Sequence, residues 1–307
     1  MNMIKKLPIP FCGVMLGCAA LGNLLQSYSE GVRLCFGAVA AVILVLMLAK
    51  LVCFPKMIKE DLQNPIMASV AGTFSMSIML LSVYAKPYIG GAAYYVWLLG
   101  IALHIALIVY FTMKFMINLQ LPKVFASYFI VYVGIAVAAI TAPAYEALSI
   151  GAAAFWFGLV SLAVLLVIVT MRYVKVKEVP APAKPLICIY AAPASLCLAG
   201  YIQSVAPKSQ AMIFGLLAVA TVLYVFALIQ CAMCITKPFA PSFAAFTFPF
   251  VISGIAAKQS MACLAKLGNP QPWLKPVVLC ETIIATVLVV YTLVRFIMFL
   301  AAKPAQK

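Results

Sequence analysis

Charge is scarce in this chain. Of its 307 residues only 9% are Asp, Glu, Lys or Arg, the acidic residues number six, and there is one histidine. A water-soluble domain carries charge on about a quarter of its residues, so this composition excludes an ordinary soluble fold. It also leaves little material for acid–base chemistry. No phosphate-binding loop, nucleophile triad or pair of neighbouring carboxylates occurs, which argues against an enzyme. Cys231 and Cys234 have a CxxC interval, but no second pair and no histidine accompany them. No metal or cofactor is therefore expected. The ten cysteines lie nearly all in apolar segments and read as reduced, buried thiols, with a disulfide between Cys263 and Cys280, which flank the last loop, as the other option. The net charge of +15 does not point to nucleic acid, because the basic residues lie mostly between apolar segments, where they orient the chain in a bilayer.

What is abundant is apolar surface. Hydrophobic residues make up 67% of the chain and the mean hydropathy is +1.17. A bilayer core needs about 20 apolar residues per helix. Ten segments meet that length, at roughly 9–28, 32–54, 65–85, 92–116, 122–142, 147–171, 186–205, 210–235, 241–265 and 273–300. The first, after Lys5 and Lys6, mimics a signal peptide, and Met15-Leu16-Gly17-Cys18 a lipoprotein cleavage site. Removed signals precede soluble domains, whereas here the rest of the chain is also membrane, so the segment is read as a span. Ten spans place both termini on one side. Fifteen basic residues then share that side, among them Lys5, Lys6, Lys50, Arg172, Lys184, Lys237, Arg295, Lys303 and Lys307, against six opposite: Arg33, Lys86, Lys208, Lys258, Lys266 and Lys275. Basic loops stay inside, so the termini are predicted to be cytoplasmic.

Odd and even segments differ. Odd ones are rich in small residues, as in "VAGTFSMSIM" and "YAAPASLCLAG"; several even ones are bulky and branched, as in "VAAVILVLMLAKLV". Each odd segment opens on a proline (Pro10, Pro65, Pro122, Pro185, Pro241), which suits a first helical turn. A helical hairpin therefore recurs five times, at about 8–54, 64–117, 122–172, 185–236 and 240–300 of a single domain spanning 1–307. The expected fold is all-α: five parallel hairpins in a ring, odd helices inside around a central pore and even helices outside. Seven residues beyond the opening prolines lie Gly17, Gly72, Phe129, Ala192 and Phe248, predicted to share one pore layer; Pro193 and Pro249 follow the last two and are predicted to kink their helices. Phe243, Phe246 and Phe250 share one helical face and read as packing, which leaves Phe248 on the other side.

The middle thirds of the odd segments hold hydroxyls but no charge, which favours passive permeation over coupled transport. Lys258 and Glu281 flank the last loop symmetrically and are expected to pair at the outer mouth, the other reading being that Lys258 attracts anions there. His104, in an even segment, is expected to pack or to meet another subunit.

Three stretches carry a family resemblance: "LPIPFCGVMLGCAAL" (7–21), "DLQNPIMASVAGT" (61–73) and, most specifically, "FAPSFAAFTFPFVISGIA" (239–256) with its Thr-Phe-Pro core. The chain resembles the tellurite-resistance/dicarboxylate transporter family, which includes bacterial TehA proteins and the plant guard-cell slow anion channels. The resemblance implies five hairpins around a pore in each protomer, a homotrimer in the inner (plasma) membrane, and a phenylalanine gate that falls on Phe248. It implies an anion channel for small monovalent anions such as chloride or nitrate, or alternatively a coupled carrier of dicarboxylate, sulfite or tellurite-type oxyanions. A membrane adaptor with an occluded pore is a third option. With about eight residues before the first span and about seven after the last, control by terminal phosphorylation is not expected.

Overall fold

The structure is a computed structural model that describes residues 2–302. Lys303 and Lys307, counted above on the inner side, lie outside the described residues. Ten apolar helices cross the molecule. They are α1 (Phe11–Leu25), α2 (Glu30–Cys53), α3 (Pro65–Ile89), α4 (Ala92–Met116), α5 (Tyr128–Tyr145), α6 (Leu148–Lys175), α7 (Ala181–Ser204), α8 (Gln210–Cys234), α9 (Pro241–Lys266) and α10 (Leu274–Ala301). Nine are long enough to span a bilayer by themselves; α1 is shorter, and two tight turns lengthen it, closed by Phe11 N–H to Pro8 O (3.0 Å) and Cys12 N–H to Ile9 O (2.9 Å). The chain ends meet on one face, where Lys6 Nζ donates to Ala302 O at 3.2 Å. This is the arrangement an even number of spans requires.

Burial separates two layers. The most apolar stretches of α3, α5, α7 and α9 are 67–89% buried, whereas those of α2, α4, α6, α8 and α10 are only 28–33% buried. In α1, all residues but Asn23 and Leu25 are buried. The odd helices touch in the order α1, α3, α5, α7, α9 and back to α1, and each even helix packs on the odd helix before it. The outer helices carry the branched residues expected at a lipid surface, such as exposed Val45, Val160, Val222 and Val287.

The layers also differ in winding. α2, α6, α8 and α10 are uninterrupted, and α4 departs from the α form only at its end, in a π turn at Thr112–Met116. The inner helices α3, α5, α7 and α9 each change pitch. α3 breaks between Val70 and Gly72, and α5 alternates between α and 3₁₀ turns. α7 is 3₁₀ over Ala181–Ala191 and α-helical from Ala192; α9 is 3₁₀ over Pro241–Phe246 and α-helical from Phe248. An eleven-residue 3₁₀ run is unusually long. Pro180, Pro182 and Pro185, each without an N–H, explain why that stretch cannot wind as an α-helix. For the same reason Pro185 stands inside its segment rather than at its start, and Pro122 belongs to a separate turn ahead of α5. Pro65 and Pro241 do open their helices, and Asn64 caps α3 as expected, its side chain accepting from Ile66 N–H at 2.9 Å.

Hydroxyls repair the breaks and close the ring. Tyr84 of α3 donates to Ala19 O of α1 (2.7 Å), and Ser69 of α3 to Ser127 at the head of α5 (2.7 Å). Ser204 of α7 donates to Ala139 O of α5 (2.5 Å), Ser253 of α9 to Ala191 O of α7 (3.1 Å), and Thr247 of α9 to Gly13 O of α1 (2.9 Å). Every neighbouring pair of inner helices is thus joined, and one of the acceptors, Ala191 O, stands at a pitch change. Each such hydrogen bond contributes about 0.5–1.5 kcal/mol, and Thr247 makes two. Thr247→Val is therefore expected to lower the thermal midpoint of the detergent-solubilised protein by several degrees. Thr221→Val, which loses only a bond within outer helix α8, is expected to leave the midpoint unchanged; equal midpoints for the two variants would contradict the clamp.

Candidate functional site

The inner ring encloses a cavity of about 50 Å³, room for a few water molecules. All five odd helices or their heads line it, and no even helix does: Gly13 and Leu16, Thr73 and Met76, Phe129 and Val133, Ala192 and Leu196, Ala244 and Phe248 represent them in turn. No ionisable side chain reaches the wall. Its two hydroxyls are already engaged, Thr73 with Val70 O (2.7 Å) and Ser242 with Pro182 O (2.5 Å). Nine hydroxyls of the odd helices and their heads (Ser69, Thr73, Ser75, Ser77, Ser127, Thr141, Ser195, Thr247 and Ser253) all make bonds to backbone or to other side chains. The cavity surface is consequently almost wholly apolar.

Of the five residues expected to share a layer, Phe129, Ala192 and Phe248 border the cavity, as do Pro193 and Pro249. Gly17 and Gly72 do not. A Cβ on Gly17 would lie 2.5 Å from Thr247 Cβ, and one on Gly72 3.0 Å from Ile130 Cγ2 and 3.1 Å from Leu107 Cδ2. Their smallness lets helices approach; it does not widen the cavity. In α3 the break between Val70 and Gly72 shifts the phase, and the next residue, Thr73, takes the wall instead; in unbroken α1 the wall falls to Gly13 and Leu16. The two prolines also differ from expectation. Neither bends a continuous α-helix: each is the second residue of an α-helix that follows a 3₁₀ segment, a first-turn position at which no α-helical N–H bond is forfeited.

The phenylalanines divide as helical spacing suggests. Phe246 meets Phe243 at a tilt (4.8 Å between centroids), and Phe250 meets Tyr224 of α8 edge-on (5.7 Å). Phe129 is held by Tyr190 of α7 at 5.3 Å. Phe248 pairs with no other ring among the described residues. Its side chain lies against the cavity, so it has the freest surroundings of the set.

The outer charge pair is not formed. Lys258 Nζ donates to Leu24 O (2.9 Å) and Ser27 Oγ (2.6 Å) and sits over the Tyr28 ring, tying α9 to the α1–α2 turn. Glu281 is buried against Gly254, and its Oε2 has no partner. Equal distance from the loop places two hairpin residues at similar depth but does not turn them toward each other; here Lys258 faces α1 and Glu281 faces the turn of α9 below it. The ion pair found among the described residues is Arg33–Glu30. His104 is fully buried within the protomer, bonded to Ser75 Oγ (2.7 Å) and Val131 O (3.0 Å), so it packs and meets no other subunit. All ten cysteines are unpaired, Cys263 and Cys280 included.

Two buried cations escaped sequence reading. Lys50 donates to Leu7 O. Arg172 donates to Val176 O (2.7 Å) and Glu178 O (2.9 Å) while its guanidinium lies over Phe125 (4.8 Å). Both stand in the last turn of an outer helix, where a long cation can reach carbonyls freed at the helix end. That position was the available signal.

Two layers of apolar helices around an axial cavity with no ionisable wall define a polytopic membrane protein built for transport. The family model for SLAC1, described as a voltage-dependent anion channel, matches residues 6–299, and the chain belongs to that family. No curated protein matches it. Because Lys258 is bonded to Leu24 O and Ser27 Oγ and does not meet Glu281, a double-mutant cycle of Lys258→Gln and Glu281→Gln is expected to give a coupling below about 0.5 kcal/mol in thermal unfolding. A coupling well above that would restore the pair.

Proposed function

We propose that the chain is a passive channel for small monovalent anions such as chloride and nitrate, with the axial cavity of each protomer as the path and Phe248 as its occluding gate. The observation that carries this reading is a cavity walled by five inner helices and free of ionisable side chains. A carrier coupled to protons needs a titrating group on the substrate path, and the wall offers none. Membership of an anion-channel family supports the same conclusion. Selection would then follow the cost of shedding water, with weakly hydrated anions favoured. We place the protein in the inner (plasma) membrane as a homotrimer, termini inside, on the excess of basic residues at the terminal face and on the family resemblance. Basic loops add a bias toward anions that salt screens within a Debye length, about 8 Å at physiological ionic strength.

The test is Phe248→Ala in planar bilayers. Removing the ring is expected to raise chloride current at least about tenfold, equivalent to about 1.4 kcal/mol off the barrier. Unchanged current in a variant that elutes as the wild type does on size exclusion would reject the gate. Phe129→Ala is expected to change current less, since Tyr190 fixes that ring at the side of the cavity; a larger effect than that of Phe248→Ala would move the gate to Phe129. Saturable flux driven by a proton gradient would favour the coupled oxyanion carrier instead.

A further inference from the structure

A second cavity, of about 310 Å³, opens on the terminal face between the heads of α7 and α9 and the end of α8. Pro182 and Lys184 line it from α7, Cys234 from α8, Lys237 and Phe239 from the α8–α9 loop, and Phe243 from α9. Both ammonium groups lie within electrostatic reach of the Cys234 thiol, which places them on the same pocket. Neither ammonium group makes a hydrogen bond, ion pair or cation–π contact among the described residues, in contrast to those of Lys50, Lys86, Lys114 and Lys258, which are all engaged. No acidic residue lines the pocket. A third cation stands behind its aromatic wall: the Arg295 guanidinium lies 5.7 Å from the centroids of both Phe239 and Phe243.

We infer that this pocket binds the phosphate headgroup of an anionic lipid from the leaflet at the terminal face. Three features select a lipid. The pocket sits at the ends of spanning helices, the depth of headgroups. Its charge is positive and uncompensated, as in basic pockets between transmembrane helices that take anionic headgroups. On the outside of α8, in the turns that precede Cys234, Ile229 and Met233 are exposed and offer a surface for an acyl chain. The pocket also adjoins the axial cavity. Ser242 lines that cavity and donates at 2.5 Å to the carbonyl of Pro182, which lines the lipid pocket. A headgroup bridging Lys184 and Lys237 therefore braces the strap that joins α7 to α9 at the cavity mouth. Its effect on current rests on the channel reading above; its binding does not.

Native mass spectrometry of the purified protein with added phosphatidylglycerol tests the binding. Wild type and a control variant on the same face, Lys56→Gln/Lys59→Gln, are expected to retain the lipid. Lys184→Gln/Lys237→Gln is expected to bind it at least about tenfold more weakly, and Lys184→Arg/Lys237→Arg to retain it. Equal retention by both glutamine variants would overturn the site. So would displacement of the lipid by millimolar inorganic phosphate, which would show a site for free anions. In vesicles, replacing part of the phosphatidylcholine with phosphatidylglycerol is expected to change wild-type chloride flux at least about twofold and to leave Lys184→Gln/Lys237→Gln unaffected. Lipid binding with no such difference would overturn the regulatory role while leaving the site in place.

Discussion

Everything in this structure depends on one constraint of the bilayer: a backbone group with no partner finds no water to replace it. The outer helices obey it trivially, with almost every N–H and C=O bonded inside one unbroken helix. Four of the five inner helices change pitch in the middle of the protein, and a small set of hydroxyls there bonds to carbonyls of their own and of neighbouring inner helices. Thr247 serves both Gly13 O in α1 and Ala244 O in its own segment. Ser253 serves Ala191 O across the α7 break and Pro249 O beside its own. Irregular backbone at this depth is tolerated where it lines a cavity, and the breaks of α7 and α9 border the one described here.

The same bonds explain why the cavity is apolar. Hydroxyls that face a channel axis can coordinate an ion; hydroxyls spent on backbone repair cannot. Small residues then let the inner helices approach closely enough for the repairs to form. Gly17 is the clearest case, since any side chain there would collide with Thr247, the residue that ties α9 to α1. Close packing of the ring and the poverty of polar groups on its inner wall are two results of one arrangement. An anion crossing such a wall would be governed by the cost of its own dehydration and by the field of the basic residues at the two faces.

Much of this architecture was legible in the amino-acid sequence. Hydropathy and the contrast between small and branched segments gave the hairpins and their layering, because lipid exposure acts directly on composition. Helical spacing separated Phe248 from Phe246 and Phe250, because each pair of neighbours differs by a large rotation in any helix. The details that failed all needed an accurate phase or direction. Gly72 follows a break in α3 that shifts the count by a residue, and Gly17, in unbroken α1, turns toward Thr247 of α9 instead of the axis. Lys258 and Glu281 were paired by depth when their orientations differ. The 3₁₀ run before Ala192 was foreshadowed by three prolines, but the strap from Ser242 to Pro182 and the bond from Thr247 to Gly13 join residues far apart in sequence, and nothing local announces them.

The central claim is that anions cross through an apolar, uncharged axial cavity. The measurement that tests it most directly is an ion-substitution series on the purified protein in planar bilayers, with permeability ratios taken from reversal potentials. The account predicts ohmic currents that reverse at the anion equilibrium potential, with nitrate and iodide more permeant than chloride, and fluoride and sulfate least. A preference for sulfate or dicarboxylates, or a flux that needs a proton gradient, would contradict it.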